Sequence, residues 1–217
     1  MADLISQDIP NLRIINTSFY PPGGPIDGEL QHEEHRITET TQYFDISEVV
    51  DSSSKLPNTM PSVDMFIEHM EEMRVPKDAK IICYDHVGMF AVARVAWMFR
   101  YFGAADVRIM SGGFKKWIKE DRAFYKGVYD YGEGLPEEGD YSYEVIDSSR
   151  LITKISEVHK IARKLHSGCM ENQITDARPP PVFKGEVAMP KGLRGGNIFG
   201  SINMPCDKFV EEGIMRP

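Results

Sequence analysis

Residues 80–117 read KIICYDHVGMFAVARVAWMFRYFGAADVRIMSGGFKKW. Lys80–Tyr84 is a short apolar run with β-branched residues, bounded by Asp85 and Gly88, and reads as a buried strand. Met89–Phe102 follows without Gly or Pro, with Arg94 and Arg100 its only charges. That length and composition predict a helix in the core, with Gly103 at the position that ends it. Asp106–Met110 reads as a second strand, closed by Gly112-Gly113. Strand, helix and strand within about thirty residues make a βαβ unit, hence parallel strands with a right-handed crossover. The loop from first strand to helix is Asp85-His86-Val87-Gly88. In such units this loop lies on the ligand side, where the helix N-terminus favours anions.

Upstream, Asn11–Phe19 reads as a strand and Tyr20–Gly28 as a Pro/Gly turn cluster. Leu30–Thr41 is polar and charged, and Gln42–Ile46 reads as a short strand. Ser62 is placed to cap a helix over Val63–Met73, where Phe66, Ile67, Met70 and Met73 share a face. Downstream, Trp117–Glu120 reads as a helical turn. Asp121–Asp140 mixes Gly, Pro, acids and tyrosines and reads as a linker. Tyr141–Val145 alternates like a strand. Leu151–Leu165 carries a helical apolar stripe, Gln173–Ala177 reads as a strand, and Pro179–Gly196 as an irregular loop before strand-like Ser201–Met204. The order after residue 145 partly repeats the order before it: a strand enters a long loop that ends in a second short strand.

The chain has 217 residues, 41% of them hydrophobic, and a formal net charge of −8. The pI near 5.3 disfavours nucleic acid or an anionic membrane surface as partner. No run approaches the ~18 apolar residues of a transmembrane helix. The start, MADLISQDIPNL, has neither a signal-peptide core nor an Arg-rich transit segment. Three cysteines, Cys83, Cys169 and Cys206, are far apart and form no C-x-x-C, which fits a reducing compartment and neither a disulfide framework nor a zinc site.

YFDI at 43–46, LPNTMPS at 56–62, ARVAWMFRYFG at 93–103 and MSGGFKKW at 110–117 together form a recognisable pattern, followed by DAR at 176–178, FKG at 183–185 and GNIFGSINMP at 196–205. On these residues the chain resembles the tandem-domain rhodaneses, the thiosulfate and 3-mercaptopyruvate sulfurtransferases. The resemblance implies an α/β fold: a rhodanese-like parallel sheet flanked by helices on both faces, with a partial second copy. It implies a non-catalytic first repeat over 1–120, a linker over 121–140 and a partial second repeat over 141–217, where an ordinary domain has roughly 100–150 residues.

The chemistry implied is transfer of a sulfane sulfur from a donor to a cysteine thiolate and on to an acceptor. The thiolate sits in a strand-to-helix loop, where backbone N–H groups and the helix dipole lower its pKa. In tandem members that cysteine belongs to the second repeat. Asp85 matches the family's cysteine position in the first, and a carboxylate cannot hold a persulfide. Arg178 of the DAR motif matches an arginine that binds the sulfur-containing anion, and a structural ion pair is the equal alternative for it. A second arginine expected before the Phe of FKG is Val182, and the family's G-H-I-P-G-A pattern is degraded to GNIFGS. No residue is expected as catalytic, and neither metal nor cofactor is expected. The resemblance points to a silent interaction or structural subunit whose protein partner covers the incomplete second repeat. Its address would be mitochondrial by family, with the cytoplasm as the alternative. The competing reading is an active sulfurtransferase whose cysteine lies beyond residue 217.

Other residues have plainer readings. Cys83 reads as a buried core cysteine. His32 and His35 in QHEEHR lack metal-site spacing and read as a solvated charged stretch. His86 reads as a loop-surface histidine within reach of Asp85. His159 and His166 read as exposed helix positions. Arg94 and Arg100, on a buried helix, are expected to pair with carboxylates, Asp85 or Asp45 among them. Gly112-Gly113 lacks nucleotide-fingerprint spacing and reads as a close turn over the sheet.

Overall fold

A computed structural model describes residues 5, 9–21, 23–56, 58–146, 152–169, 171–189 and 193–216. The chain divides into two compact units, Met1–Ile146 with Glu212–Met215, and Asp147–Glu211 with Arg216–Pro217.

The first unit is built on a four-stranded parallel sheet of order β2-β1-β3-β4. The strands are β1 (Leu12–Asn16), β2 (Gln42–Tyr43), β3 (Lys80–Tyr84) and β4 (Asp106–Ile109). Its helices are α1 (Gly28–Glu34), α2 (Val63–Glu72), α3 (Val92–Tyr101) and α4 (Gly113–Lys119). β3 is central: Ile82 pairs with Ile14 of β1 on one side and Arg108 of β4 on the other. Successive residues of a strand face opposite sides of the sheet. Ile15, Ile81, Cys83 and Val107 therefore pack with Phe66 and Met70 of α2 and Val95 and Phe99 of α3. Ile14 and Tyr84 pack on the other face with Phe114 and Trp117 of α4. This is the expected α/β architecture, with helices on both faces.

Several local readings change. The helix predicted from Met89 begins at Val92. Met89 stands at φ 61, outside helical geometry, so the chain cannot turn helical before it. α3 keeps a solvent side: Ala93 and Arg100 are exposed, and Arg94 and Trp97 half-buried. Gly103 does close it in the left-handed region, at φ 84. Ser62 caps α2 as expected, its Oγ accepting from Met65 N–H at 3.2 Å. The stretch expected as polar and charged, Leu30–Thr41, begins inside α1, which is capped by Asp27, whose carboxylate accepts from Glu29 and Leu30 N–H.

The expected linker 121–140 falls within the first unit and is anchored to it at a few points, with Tyr129 and Gly132 buried and most other residues exposed. Tyr125 and Arg36 exchange backbone hydrogen bonds at 2.7 and 3.2 Å. The Arg36 guanidinium, fully buried, donates to Gly127 and Val128 carbonyls and lies over the Tyr125 ring. Residues 141–146 form no strand; Tyr143 instead buries its ring against Phe66 and donates its hydroxyl to Val75 O. The sequence reads 121–140 as a linker and Tyr141–Val145 as a strand, but Tyr125, Tyr129 and Tyr143 anchor the stretch.

The second unit holds α5 (Ile155–His166), β5 (Thr175–Asp176), α6 (Pro180–Lys184) and β6 (Ile202–Asn203). A 3-10 turn over Cys206–Lys208 and strand β7 (Val210–Glu211) follow. Strand β8 (Ile214–Met215) falls with the first unit. Leu151, the first residue of the predicted helix, lies outside the described residues. β5 and β6 pair in parallel, Thr175 with Ile202 and Asp176 with Asn203. Apolar surface stays open here, with Ile155 75% and Ile202 50% exposed. Among the described residues no helix is long and apolar enough to cross a membrane.

Candidate active-site loop

The chain leaves β3 at Tyr84 and enters α3 at Val92, and everything between is organised by Asp85. The residue is buried, and both carboxylate oxygens accept backbone N–H groups. Oδ1 accepts from Gly88. Oδ2 accepts from Phe90 at 2.8 Å, Ala91 at 3.2 Å and Val92 at 3.4 Å. Gly88 at φ 95 and Met89 at φ 61 turn the chain so that these amides converge. The first amides of α3 thus meet a full negative charge at the positive end of the helix dipole. The sequence places an anion-favouring loop here, and the structure puts Asp85's own carboxylate inside it.

The floor is set from the opposite side. Phe114 N–H donates to the Asp85 carbonyl at 2.9 Å. A Cβ on Gly113 would stand 2.4 Å from that same oxygen. Gly113 is therefore required for close approach, as the sequence suggests for the Gly112-Gly113 pair.

His86 does not pair with Asp85. Its ring stacks on Phe114, centroids 4.4 Å apart at 15°, with Nε2 buried and unpartnered. Burial, with His35 adding to it, lowers its pKa to about 4, so the ring is neutral near pH 7. Its backbone N–H donates to Ser18 Oγ at 2.9 Å. Arg94 and Arg100 do not reach Asp85 either, because α3 turns them outward. Arg94 donates to the Asn58 carbonyl and lies over Trp97. Arg100 donates to the Val107 carbonyl at 2.7 Å.

The sequence reading misses a buried polar group beside the loop. His32, read as solvated, is fully buried. Its Nε2 donates to the Thr41 carbonyl at 3.0 Å, and its Nδ1 accepts from Asn16 Nδ2 at 3.1 Å. Burial, then the Arg36 charge, pushes its pKa down to about 3. The signal in the sequence is Asn16-Thr17-Ser18, three polar residues at the carboxyl end of an apolar strand.

Cys83 lies under the loop on the buried face of β3, and burial pushes its thiol up to about 12, far from thiolate chemistry at neutral pH. Cys169 is half-buried and Cys206 exposed, both in the second unit. In that unit Arg178 is held by its neighbour. Its Nε donates to Asp176 Oδ1 at 2.9 Å and its Nη2 to the Gly196 carbonyl at 2.9 Å. The pairing lowers the Asp176 pKa and raises that of Arg178. Among the described residues no group of three or more His, Cys, Asp or Glu is arranged to hold a metal.

The sequence and the fold are matched in known proteins. Residues 34–120 match the rhodanese-like domain. The chain is 30% identical over 218 residues to the 3-mercaptopyruvate sulfurtransferase of Escherichia coli, covering 99% of this chain and 73% of that protein. The chain belongs to the rhodanese family. Among solved structures, the rhodanese-fold protein SseA from Escherichia coli matches this chain with a TM-score of 0.83 at 29% identity, over 100% of this chain and 76% of its own. The yeast mitochondrial complex I sub-stoichiometric sulfur transferase subunit matches with a TM-score of 0.77 at 24% identity, over 99% of this chain and 75% of its own. That second likeness is one of fold. The tandem-repeat rhodanese fold extends over nearly the whole chain.

Proposed function

We propose that this rhodanese-family chain is a pseudoenzyme in its first repeat, acting as an interaction or structural subunit of a larger assembly. In this reading residues 1–120 are the silent repeat, 121–140 connect and 141–217 begin a second repeat that a protein partner covers. One observation carries the reading. Asp85, at the position of the family's cysteine, fills the loop's amide cradle with its own carboxylate. Sulfur transfer needs a thiolate there, and the nearest cysteine in sequence, Cys83, is buried within the strand. Arg178 supports the same reading: its guanidinium is taken up by Asp176 and Gly196 rather than left for a sulfur anion. The open apolar surface of the second unit supports a covering partner. A structural neighbour that is a subunit of a mitochondrial complex makes a mitochondrial assembly the natural setting.

The test is a thiosulfate-to-cyanide assay, repeated with 3-mercaptopyruvate, on the 217-residue chain. No turnover above the blank is expected; measurable thiocyanate or sulfide would overturn silence. Light scattering after size exclusion tests the partner: a stable, compact monomer would count against it. A second reading has one observation in its favour: this chain matches only 73% of the Escherichia coli sulfurtransferase. In that reading the protein is an active sulfurtransferase, and a cysteine loop encoded after residue 217 carries the reaction. Turnover in a longer product and none in this chain would support it.

A further inference from the structure

Four loop amides are held by Asp85, but the amide of His86 is not among them. It donates to Ser18 Oγ at 2.9 Å. The Ser18 hydroxyl proton goes to Asn16 Oδ1 at 2.6 Å, and Ser18 N–H to the same oxygen at 3.1 Å. With Oδ1 accepting, Asn16 Nδ2 faces His32 Nδ1 as a donor. The other ring nitrogen meets the Thr41 carbonyl, which only accepts, so Nε2 carries the proton. Every bond from Thr41 to His86 therefore has one direction, fixed by a neutral His32 in its Nε2–H form.

A proton on Nδ1 breaks this order at once. It would face the Asn16 NH2 group, donor against donor. Turning the Asn16 amide over would relieve that contact but put NH2 against the Ser18 N–H and leave the Ser18 hydroxyl proton without its acceptor. All of these groups are buried, so water offers no alternative partner. The other groups facing the ring do not help a charge. Tyr43 stacks on it, Tyr129 meets it edge-on at 4.4 Å, and Arg36 and His86 are cationic or potentially so.

We propose that the buried chain His32–Asn16–Ser18 is a proton-sensitive latch on the loop Asp85–Val92, closed while the His32 ring is neutral and released when Nδ1 takes a proton. Ser18 and His32 are then positioning residues for the loop, and they act whether or not the loop has chemistry of its own.

Amide hydrogen exchange by NMR on the full chain tests this. The protection of the His86 and Gly88 amides is followed relative to that of Cys83, in the central strand. From pH 7.5 to 5, loop protection is expected to fall about thirty-fold, because an opened His32 regains its ordinary pKa. In His32→Gln, which can accept and donate but not titrate, the fall should shrink by about thirty-fold, leaving only what the buried His86 ring contributes. A flat wild-type profile, or an undiminished fall in the variant, overturns the latch. Ser18→Ala should cut His86 protection at least tenfold already at pH 7.5; unchanged protection would also overturn it. Should a variant not fold, the imidazole nitrogen spectrum of the wild type decides: an Nε2–H tautomer at pH 7 is expected, and an Nδ1–H tautomer breaks the chain of bonds.

Discussion

Two parts of this molecule are built to one plan and finished differently. β1 with β2, and β5 with β6, are each a parallel pair joined through a long loop. In the first, Asn16 pairs with Tyr43 and its carbonyl accepts from Phe44 N–H at 2.9 Å; in the second, Asp176 pairs with Asn203 and its carbonyl accepts from Met204 N–H at 2.9 Å. Asn16 Oδ1 accepts the N–H of Ser18 at 3.1 Å, and Asp176 Oδ1 that of Arg178 at 3.0 Å. Ser18 and Arg178 are thus counterparts. The surroundings differ. β1 is flanked by β3, and Ile15, Asn16 and Ser18 are buried. Among the described residues β5 pairs only with β6, and Ile202 and Met204 are exposed. Short-range turn chemistry forms in both places; burial depends on a third strand and the helix behind it.

The comparison is most sharply broken at the two acidic anchors. Asp85→Ala removes the acceptor of four amides, and a loss of about 3–5 kcal/mol of unfolding free energy is expected, as for a buried charge contact broken from one side. Urea denaturation checks it; a loss below about 1 kcal/mol would mean the cradle does not hold the first unit together. Acidification should come next. His32 and His86 fold with pKa values lowered to about 3 and about 4. Unfolding restores their ordinary values, so the unfolded chain binds more protons below about pH 6.5. Stability contributed above that pH is lost as the pH falls, by about 2–4 kcal/mol between pH 7 and 5 for the two rings together. Denaturation midpoints across that range, with His32→Gln showing the smaller slope, are the measurement.

Gly113→Ala ranks third. The added Cβ meets the Asp85 carbonyl oxygen and the residue stands at φ 53, so about 1–3 kcal/mol should be lost. The smallest effect belongs to the second unit. Asp176→Ala breaks a pair whose Arg178 side chain is 41% exposed, and a change below about 1 kcal/mol is expected. A large loss there would show the second turn to be as deeply built in as the first.

The sheet was legible because β3 is an apolar run with clear boundaries, because β4 alternates charged and apolar residues before Gly112-Gly113, and because α2 carries both a cap and a stripe. The loop's position after Tyr84 was legible for the same reason. What Asp85 does there was only half legible. The sequence places a carboxylate at the helix start, but the convergence of amides depends on positive φ at Gly88 and at Met89, and nothing in Met89 announces that. His32 was unreadable for a different reason. QHEEHR is hydrophilic by composition, yet Asp27 starts a helix that turns one histidine inward onto Asn16. Residues 121–146 misled in the same way, since burial of Tyr129 and Tyr143 follows from partners far away in the chain.

The Asp85 cradle also bears on what could ever bind there. Its occupant is tethered to the site by the chain itself, so it competes with every dissolved anion at an effective concentration that solution cannot match. One side chain thereby occupies the four amides that a dissolved anion would need. The loop keeps the shape of a receptor and behaves as one that is permanently saturated.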